Sequence, residues 1–360
     1  MKDSLAPASI PELVDAVRSF ERLLPVGGET KPRLCAVNAT KLSMLKLRGT
    51  LEYEPSEFTF TARAGTPLAE VVQTLAACGQ YLPFDPVFVD SGGTLGGAVA
   101  SNLNGPGRLR FGGIRDFILG ARFVEGSGRL LGAGGKVVKN AAGFDLPKFF
   151  VGSVGRFGVL TELTFKVFPA AAGTLTLKLA AKDMAAAARI LIEAARSRWE
   201  PDALEIPAGD CSVLLRLAGP SAAIEQIAAD ILSRFPGEKL NSADADRAWS
   251  NIREFHWTHS TGPLVKVPVT PLSFPDLLKA LEPVDRLRVH ISGGGNAAYV
   301  SMPSAEQFPL FNKALAGLSL PGVSLRGEVP AWVGKQPRAQ IADAVKRALD
   351  PQNRFPSLDE

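Results

Sequence analysis

The densest concentration of residues suited to chemistry lies between Asp90 and Asn102. Gly92, Gly93, Gly96 and Gly97 fill four of six consecutive positions, with Ser91, Thr94, Ser101 and Asn102 beside them. Glycine lets the main chain approach a ligand closely. Successive backbone N–H groups in such a loop form a concavity that suits phosphate oxygens. The segment is therefore the leading candidate for holding a nucleotide pyrophosphate. Further glycine-rich stretches recur near residues 27, 112, 134 and 152–158. So many in one half of the chain exceeds what tight turns alone require.

The spacing excludes two common owners of such loops. A P-loop needs glycine, four residues, then Gly-Lys-Ser/Thr. Gly135-Lys136 is followed by Val137, and Leu130 stands where the first glycine belongs. The G-x-G-x-x-G dinucleotide fingerprint does not fit Gly92 to Gly97 either. The cysteines, Cys35, Cys78 and Cys211, are too scattered for a zinc or iron–sulfur site, and no metal site is expected. Three histidines, His256, His259 and His290, all fall in the second half. His256 and His259 are spaced to share a helix face, and the three are candidates for substrate handling or for structural roles.

The elements that must position these residues follow from pattern. Ser9-Ile-Pro-Glu12 reads as a capping box opening a helix over about 10–22. Leu24–Lys31 reads as a strand entering a Gly-Gly turn, and residues 34–62 as short strands. Thr66-Pro67 reads as N-cap and first turn of a second helix ending near Gly79. Strands are expected at 117–124 and 163–168. Beyond the linker at 170–173, strands near 174–179, 203–206, 211–217, 265–269, 286–291 and 297–301 alternate with helices at 183–196, 221–234, 273–281 and 304–316. That alternation predicts an α+β domain with an antiparallel sheet. A last helix, 341–349, is stopped by Asp350-Pro351.

The chain has 360 residues, 46% hydrophobic and 21% charged, with a net charge of +4. That length allows two or three domains. The mild charge, without basic blocks, does not indicate a nucleic-acid partner. No stretch approaches the roughly 20 apolar residues of a membrane span, and the N-terminus lacks an apolar signal core. Sparse cysteines fit a reducing cytosol. The expected location is cytoplasmic, with any attachment to the inner membrane made through partner subunits.

Residues 24–169 resemble the FAD-binding domain of the vanillyl-alcohol oxidase and p-cresol methylhydroxylase type. Pro25–Lys31 is similar to that family's first FAD loop, Ala64–Leu68 to its strand-to-helix step, and Asp90–Asn102 to its main pyrophosphate loop. Gly155–Glu162 resembles the stretch beside the adenosine half, and Asp350-Pro351 the closing segment. Within the family, Gly79–Pro86, Asn104–Gly107, Phe111–Asp116 and Val138–Asp145 resemble the E-subunit branch of the bacterial glycolate oxidases. The resemblance implies an α+β fold. It comprises a two-subdomain FAD-binding domain (1–170), an α+β cap facing substrate or partner (171–330), and a C-terminal helix and tail (331–360) returning to the first domain.

On this resemblance, FAD is the cofactor. Its binding residues are Val26, Gly27, Gly28, Glu29, Thr30, Lys31, Ser91, Gly92, Gly93, Thr94, Gly96, Gly97, Ser101, Asn102, Arg115, Gly158 and Val159. Lys139 is a further candidate for charge near the flavin or its phosphates. No histidine precedes His256, so FAD is expected to be held non-covalently, with Cys35 and Cys78 the formal alternatives. Phe144 stands where the family usually has tyrosine, which removes a phenol from consideration. Related hydroxy-acid dehydrogenases carry an HxGDGNxH-like segment. His290–Asn296 keeps one histidine, glycines and the asparagine but lacks the acid and the second histidine. The implied activity is oxidation of a small 2-hydroxy acid, glycolate to glyoxylate or D-lactate to pyruvate. The implied partners are a second flavoprotein subunit and an iron–sulfur subunit. A stand-alone flavin oxidoreductase and a non-catalytic assembly subunit are the alternatives.

Overall fold

The structure, a computed structural model, describes residues 4–135, 145–336, 340–357 and 359–360. Lys139, Phe144 and most of the Val138–Asp145 motif therefore lie outside the described residues. The chain divides into two units. The first comprises Met1–Asn104, Gly112–Ala170 and Arg338–Glu360, and the second comprises Gly105–Phe111 and Ala171–Pro337.

In the first unit, the helix Ile10–Ser19 starts at Ser9, whose hydroxyl accepts the Glu12 N–H. Glu12 returns a carboxylate oxygen to the Ala8 N–H. The helix stops short of the expected residue 22 because the chain turns extended into β1 (Leu23–Val26). β1 pairs in parallel with β2 (Thr40–Ser43). Beyond them, β3 (Thr50–Glu54), β4 (Thr59–Arg63), the two-residue β5 (Gln80–Tyr81), β6 (Ile118–Val124), β7 (Leu130–Gly134), β8 (Val159–Lys166) and the short β9 (Phe168–Pro169) follow. Five of them form an antiparallel sheet ordered β3-β4-β8-β6-β7, while β5 pairs with β9. Along β8, Val159, Thr161, Leu163 and Phe165 are buried while Glu162, Thr164 and Lys166 are less so, the period of two expected of a half-covered sheet. Leu13, Val17, Leu23, Leu42, Met44, Leu47, Val124, Val159 and Phe355 close one core, so the C-terminal segment is part of it.

The second helix differs from expectation. It runs Leu68–Ala76 with Pro67 as its N-cap. Thr66 does not cap it. Its side chain is fully buried, donates to the Arg63 carbonyl at 2.7 Å and accepts the Gly49 N–H at 2.9 Å, so tertiary partners take the hydroxyl that a local cap would use.

The second unit carries two antiparallel sheets. β10 (Thr174–Ala180), β11 (Ala203–Glu205), β12 (Ser212–Ala218) and β13 (Gly237–Lys239) are ordered β11-β12-β10-β13. β14 (Leu264–Pro268), β15 (Arg288–Ser292), β16 (Ala297–Ser301), β17 (Pro321–Arg326) and β18 (Trp332–Gly334) are ordered β15-β16-β14-β17-β18. An isolated bridge between Ile206 and Ile291 joins them. Helices Met184–Arg196, Ser221–Arg234, Phe274–Leu281 and Phe308–Gly317 supply apolar side chains to the shared core. The helix Ser242–Arg253 was absent from the pattern reading. Its charged sequence hides a short apolar stripe, of which Trp249 and Ile252 are buried.

Candidate functional site

Three loops of the first unit converge on one cleft. The first follows β1: Met44 donates its N–H to the Val26 carbonyl at 2.9 Å, and the chain then runs through Gly27 and Gly28 to Lys31. The second is the glycine loop leading into the helix Leu95–Ser101. It is sewn to the 64–68 step by three bonds, Leu68 N–H to Gly93 O, Leu95 N–H to Thr66 O and Gly96 N–H to Ala64 O, at 2.7–2.9 Å. The third is the turn before β8, fixed by Gly152 N–H to Val99 O and Val154 N–H to Ala100 O, both 2.9 Å.

The first two loops lie backbone against backbone. A Cβ added to Gly28 would sit 1.8 Å from the Gly92 carbonyl oxygen, and one on Gly27 would sit 2.2 Å from the Thr94 hydroxyl. Only glycine permits this approach. Thr94 in turn caps the Leu95–Ser101 helix by accepting the Gly97 N–H at 3.2 Å.

The resulting cleft is open to solvent, with about 780 Å³ of non-protein space counted out into the bulk. Val26, Gly27, Gly28, Glu29, Thr30, Lys31, Thr94, Gly96, Gly97, Ser101 and Gly158 line it, as does Cys35. The remaining expected residues do not. Gly92 and Gly93 serve instead as backbone partners of Gly28 and Leu68. Ser91 and Arg115 are exposed. Asn102 ends the helix in the left-handed region and accepts from Asn104. Val159 is fully buried in the core. Leu24, Pro25, Leu34, Met44, Ala64, Ala100, Ser153, Val154, Gly155 and Leu160 complete the lining. Of these, Pro25, Ala64, Ala100, Gly155 and Leu160 fall within the motifs that carry the family resemblance, while Met44 and Leu34 carry no signal that distinguishes them from core residues.

Val154 is unusual. It takes φ +48°, the left-handed region that is costly for a β-branched side chain. The surrounding bonds hold it there, including one from Arg156 Nη1 to its carbonyl at 2.8 Å. Arg156 is itself buried, its second nitrogen donating to the Glu360 carbonyl at 2.6 Å. Burial pulls its guanidinium down to about 10.

Two charged side chains line the cleft. Glu29 forms an ion pair with Lys41. Lys31 has no carboxylate partner among the described residues. Its ammonium donates to the Thr30 hydroxyl at 2.9 Å and lies 5.3 Å from the Phe88 ring centre. It also lies 3.9 Å from where a Gly97 Cβ would stand. Burial pushes it down from about 10.5 to about 8, with Cys35 opposing. An uncompensated cation beside a glycine cradle is suited to an anionic group such as a pyrophosphate. The glycines leave room for the approach, so the residues present fit FAD.

His256 and His259 share no helix face, because the helix Ser242–Arg253 ends before them. His256 is exposed in a groove with Lys178, Asp210, Asp244, Arg247 and Asn251. The His259 ring pairs with the Arg286 carbonyl at 3.1 Å. His290 is buried in the second unit. Its Nε2 lies 2.7 Å from Glu205 Oε2, and its ring centre lies 5.4 Å from that of Trp257 and 6.4 Å from that of Tyr299. His290, Tyr299 and Lys266 form one row across β15, β16 and β14. Burial, with Arg108 nearby, pushes Lys266 down to about 7. Burial, with the Glu205 charge, pushes the Tyr299 phenol up. Glu205 gave no signal in the sequence, because nothing local marks a glutamate inside Ala203-Leu-Glu-Ile206 as buried. Among the described residues, no group of three or more His, Cys, Asp or Glu side chains is placed to hold a metal ion, and no helix is long and apolar enough to cross a membrane.

Residues 4–134 match the family model described as FAD binding domain. The whole fold is similar to a solved structure of alkyldihydroxyacetonephosphate synthase, with a TM-score of 0.70 over 97% of this chain and 75% of that one. At 17% identity that likeness speaks for the fold alone. The fold class is thus α+β, with residues 4–134 matching an FAD binding domain.

Among curated proteins, the chain is similar to glycolate oxidase subunit GlcE of Escherichia coli (strain K12), 37% identical over 211 residues, 58% of this chain and 56% of that protein. It is also similar to glycolate oxidase subunit GlcD of Bacillus subtilis (strain 168), 30% identical over 155 residues, 43% of this chain and 33% of that protein. The matches span about half or less of these relatives' length.

Proposed function

We propose that this chain is an FAD-holding oxidoreductase subunit of a heteromeric glycolate oxidase, acting in the oxidation of glycolate to glyoxylate and of D-lactate to pyruvate. The observation that carries the reading is the 37% identity to glycolate oxidase subunit GlcE, in a chain whose glycine cradle and Lys31 suit a pyrophosphate. Gly27, Gly28, Lys31, Thr94 and Gly97 hold the cofactor non-covalently, the glycines admitting the pyrophosphate and Lys31 neutralising it. Bound FAD supplies the two-electron acceptor. The turn at Ser153–Gly158 closes the wall of the same cleft. The partners are a second flavoprotein subunit and an iron–sulfur subunit that carries electrons onward, and the complex is cytoplasmic or attached to the inner membrane through them.

The test is affinity purification of the tagged chain from its host, with flavin and iron counted spectroscopically. Co-purification of a second flavoprotein and an iron–sulfur protein with glycolate-dependent dye reduction supports the reading. A chain that carries no flavin and takes up none refutes it. A second reading, turnover by the isolated chain, is favoured by the buried Glu205–His290 pair, which the cofactor cleft does not require. Reduction of an artificial acceptor by the purified single chain would establish it.

A further inference from the structure

Two of the three loops that form the cofactor cleft are tied to the last helix, Gln340–Leu349, and to residues that follow it. Asp350 is buried and accepts the Arg354 and Phe355 N–H groups at 2.8 and 2.9 Å. That curl turns Phe355 into the core. It also sets Arg354 against the start of the first loop's strand. The Arg354 carbonyl accepts the Leu23 N–H at 2.7 Å, and its Nη1 donates to the Phe20 carbonyl at 2.5 Å. Leu23 opens β1, whose far end, Val26, lines the cleft. Lys346 holds the third loop by donating to the Arg156 carbonyl at 2.7 Å. The two loops touch at Gly155, where a Cβ would stand 3.2 Å from Pro25 Cδ.

Arg156 is the joint of this arrangement. It is 2% exposed. Both terminal nitrogens go to main-chain carbonyls, Nη1 to Val154 at 2.8 Å and Nη2 to Glu360 at 2.6 Å. The planar fork of a guanidinium can hold two such acceptors at once. Val154 lines the cleft at φ +48°. A β-branched residue stays in the left-handed region only where its surroundings over-determine it. The Val154 N–H is fixed on the Ala100 carbonyl, and Arg156 fixes the carbonyl side.

We propose that Arg156 is a positioning residue of the cofactor cleft, and that Lys346, Arg354 and Glu360 are the clasp that holds it and β1 in place. The guanidinium keeps Val154 left-handed and so keeps the Ser153–Gly158 turn in the shape that completes the cleft wall. The inference rests on the reading above that the cleft takes FAD, and goes beyond it by naming what sets the affinity. Without Arg156 the turn spends most of its time in other backbone shapes, and the apparent affinity falls in proportion to the fraction that stays competent. Strain of this kind corresponds to about tenfold. Glycine adopts positive φ without that cost, so Val154→Gly removes the need for the arginine. Direct attraction between the Arg156 charge and a bound phosphate is the competing account, and a glycine at position 154 cannot restore it.

The experiment is fluorescence titration of the full-length chain with FAD, together with hydrogen–deuterium exchange of the FAD-free chain read by mass spectrometry. Arg156→Met should weaken FAD about tenfold. In the FAD-free chain it should speed exchange across residues 150–158, which contain the bonded Gly152 and Val154 amides, by more than it speeds exchange in β6. V154G alone should bind FAD within about threefold of the parent chain, and R156M combined with V154G should return to that range. A chain lacking Asp359 and Glu360 loses the outer anchor of the guanidinium. It should weaken FAD in the same direction, and with V154G it carries the test if R156M does not fold. R156M that binds FAD as the parent does overturns the inference. So does a weakened R156M that V154G fails to restore, a result that assigns Arg156 a charge effect and leaves the FAD reading standing. A parent chain that takes up no FAD refutes the reading of the cleft, and the exchange data then decide the clasp. Faster exchange of 150–158 relative to β6 in R156M supports it, and unchanged exchange overturns it.

Discussion

Replacing Gly28 by alanine should close the cofactor cleft without unfolding the domain. The added Cβ would lie 1.8 Å from the Gly92 carbonyl oxygen and 2.8 Å from its carbon. Real Cβ contacts do not fall below 3.0 Å, so one loop must move by more than an ångström. The obstacle is backbone, and no side chain can rotate away. Gly93, the next residue, is tied to Leu68 and Phe88, so the glycine loop cannot retreat without losing those bonds. The first loop must lift instead, carrying Lys31 away from the cradle. Overpacking of this sort costs about 1–3 kcal/mol in stability. Losing one or two charge-assisted contacts to a pyrophosphate, at roughly 1.5–3 kcal/mol each, would weaken FAD by about tenfold to 10⁴-fold. Gly79→Ala is the control, because its Cβ meets nothing within 4 Å and its cost is the strain of φ +64° alone. It should lower stability by about 1 kcal/mol and leave FAD affinity unchanged. Flavin fluorescence titration and thermal melts read both quantities. G28A binding FAD within about threefold of the parent chain would refute the two-loop cradle.

Other predictions follow from the same geometry. Lys31 is held near 8, so FAD affinity should fall as pH rises through that value, and K31M should show weaker, pH-independent binding by titration. In the chain without FAD the sign is opposite. The folded state sheds this proton before the unfolded one, whose lysine titrates near 10.4, so stability rises between about pH 8 and pH 10, and denaturation of K31M should lack that slope. Lys346 donates to the Arg156 carbonyl at 2.7 Å, the Phe355 carbonyl at 2.9 Å and Asp350 at 2.5 Å. K346M leaves the buried Asp350 carboxylate with the Arg354 and Phe355 N–H groups but no counter-charge, and should cost about 3 kcal/mol in chemical denaturation. Acid precipitation should release FAD into the supernatant, and Cys35→Ser should retain bound flavin. Flavin remaining with the pellet, and lost in C35S, would show a covalent bond.

What was legible in the chain was what short-range physics controls. The capping box at Ser9, the recurring glycines of 27–31 and 92–97, and most helices and strands follow from turn chemistry and periodicity, because the residues that decide them are neighbours. The cleft residues among those glycines were legible for the same reason. The sequence by itself therefore determined that two glycine loops exist and that their spacing excludes the P-loop and dinucleotide fingerprints. Only the tertiary structure decided what each glycine does. Gly27, Gly96 and Gly97 face the cleft, whereas Gly92 and Gly93 hold the loops together. It also decided that Glu29 is neutralised by Lys41, leaving Lys31 as the cleft's uncompensated cation among the described residues, and that Val154 is held left-handed by bonds to Ala100 and Arg156. Glu205 and His290 meet across 85 positions of sequence. Such pairings depend on which strands the sheets bring side by side, and no local preference encodes the partner of a buried charge.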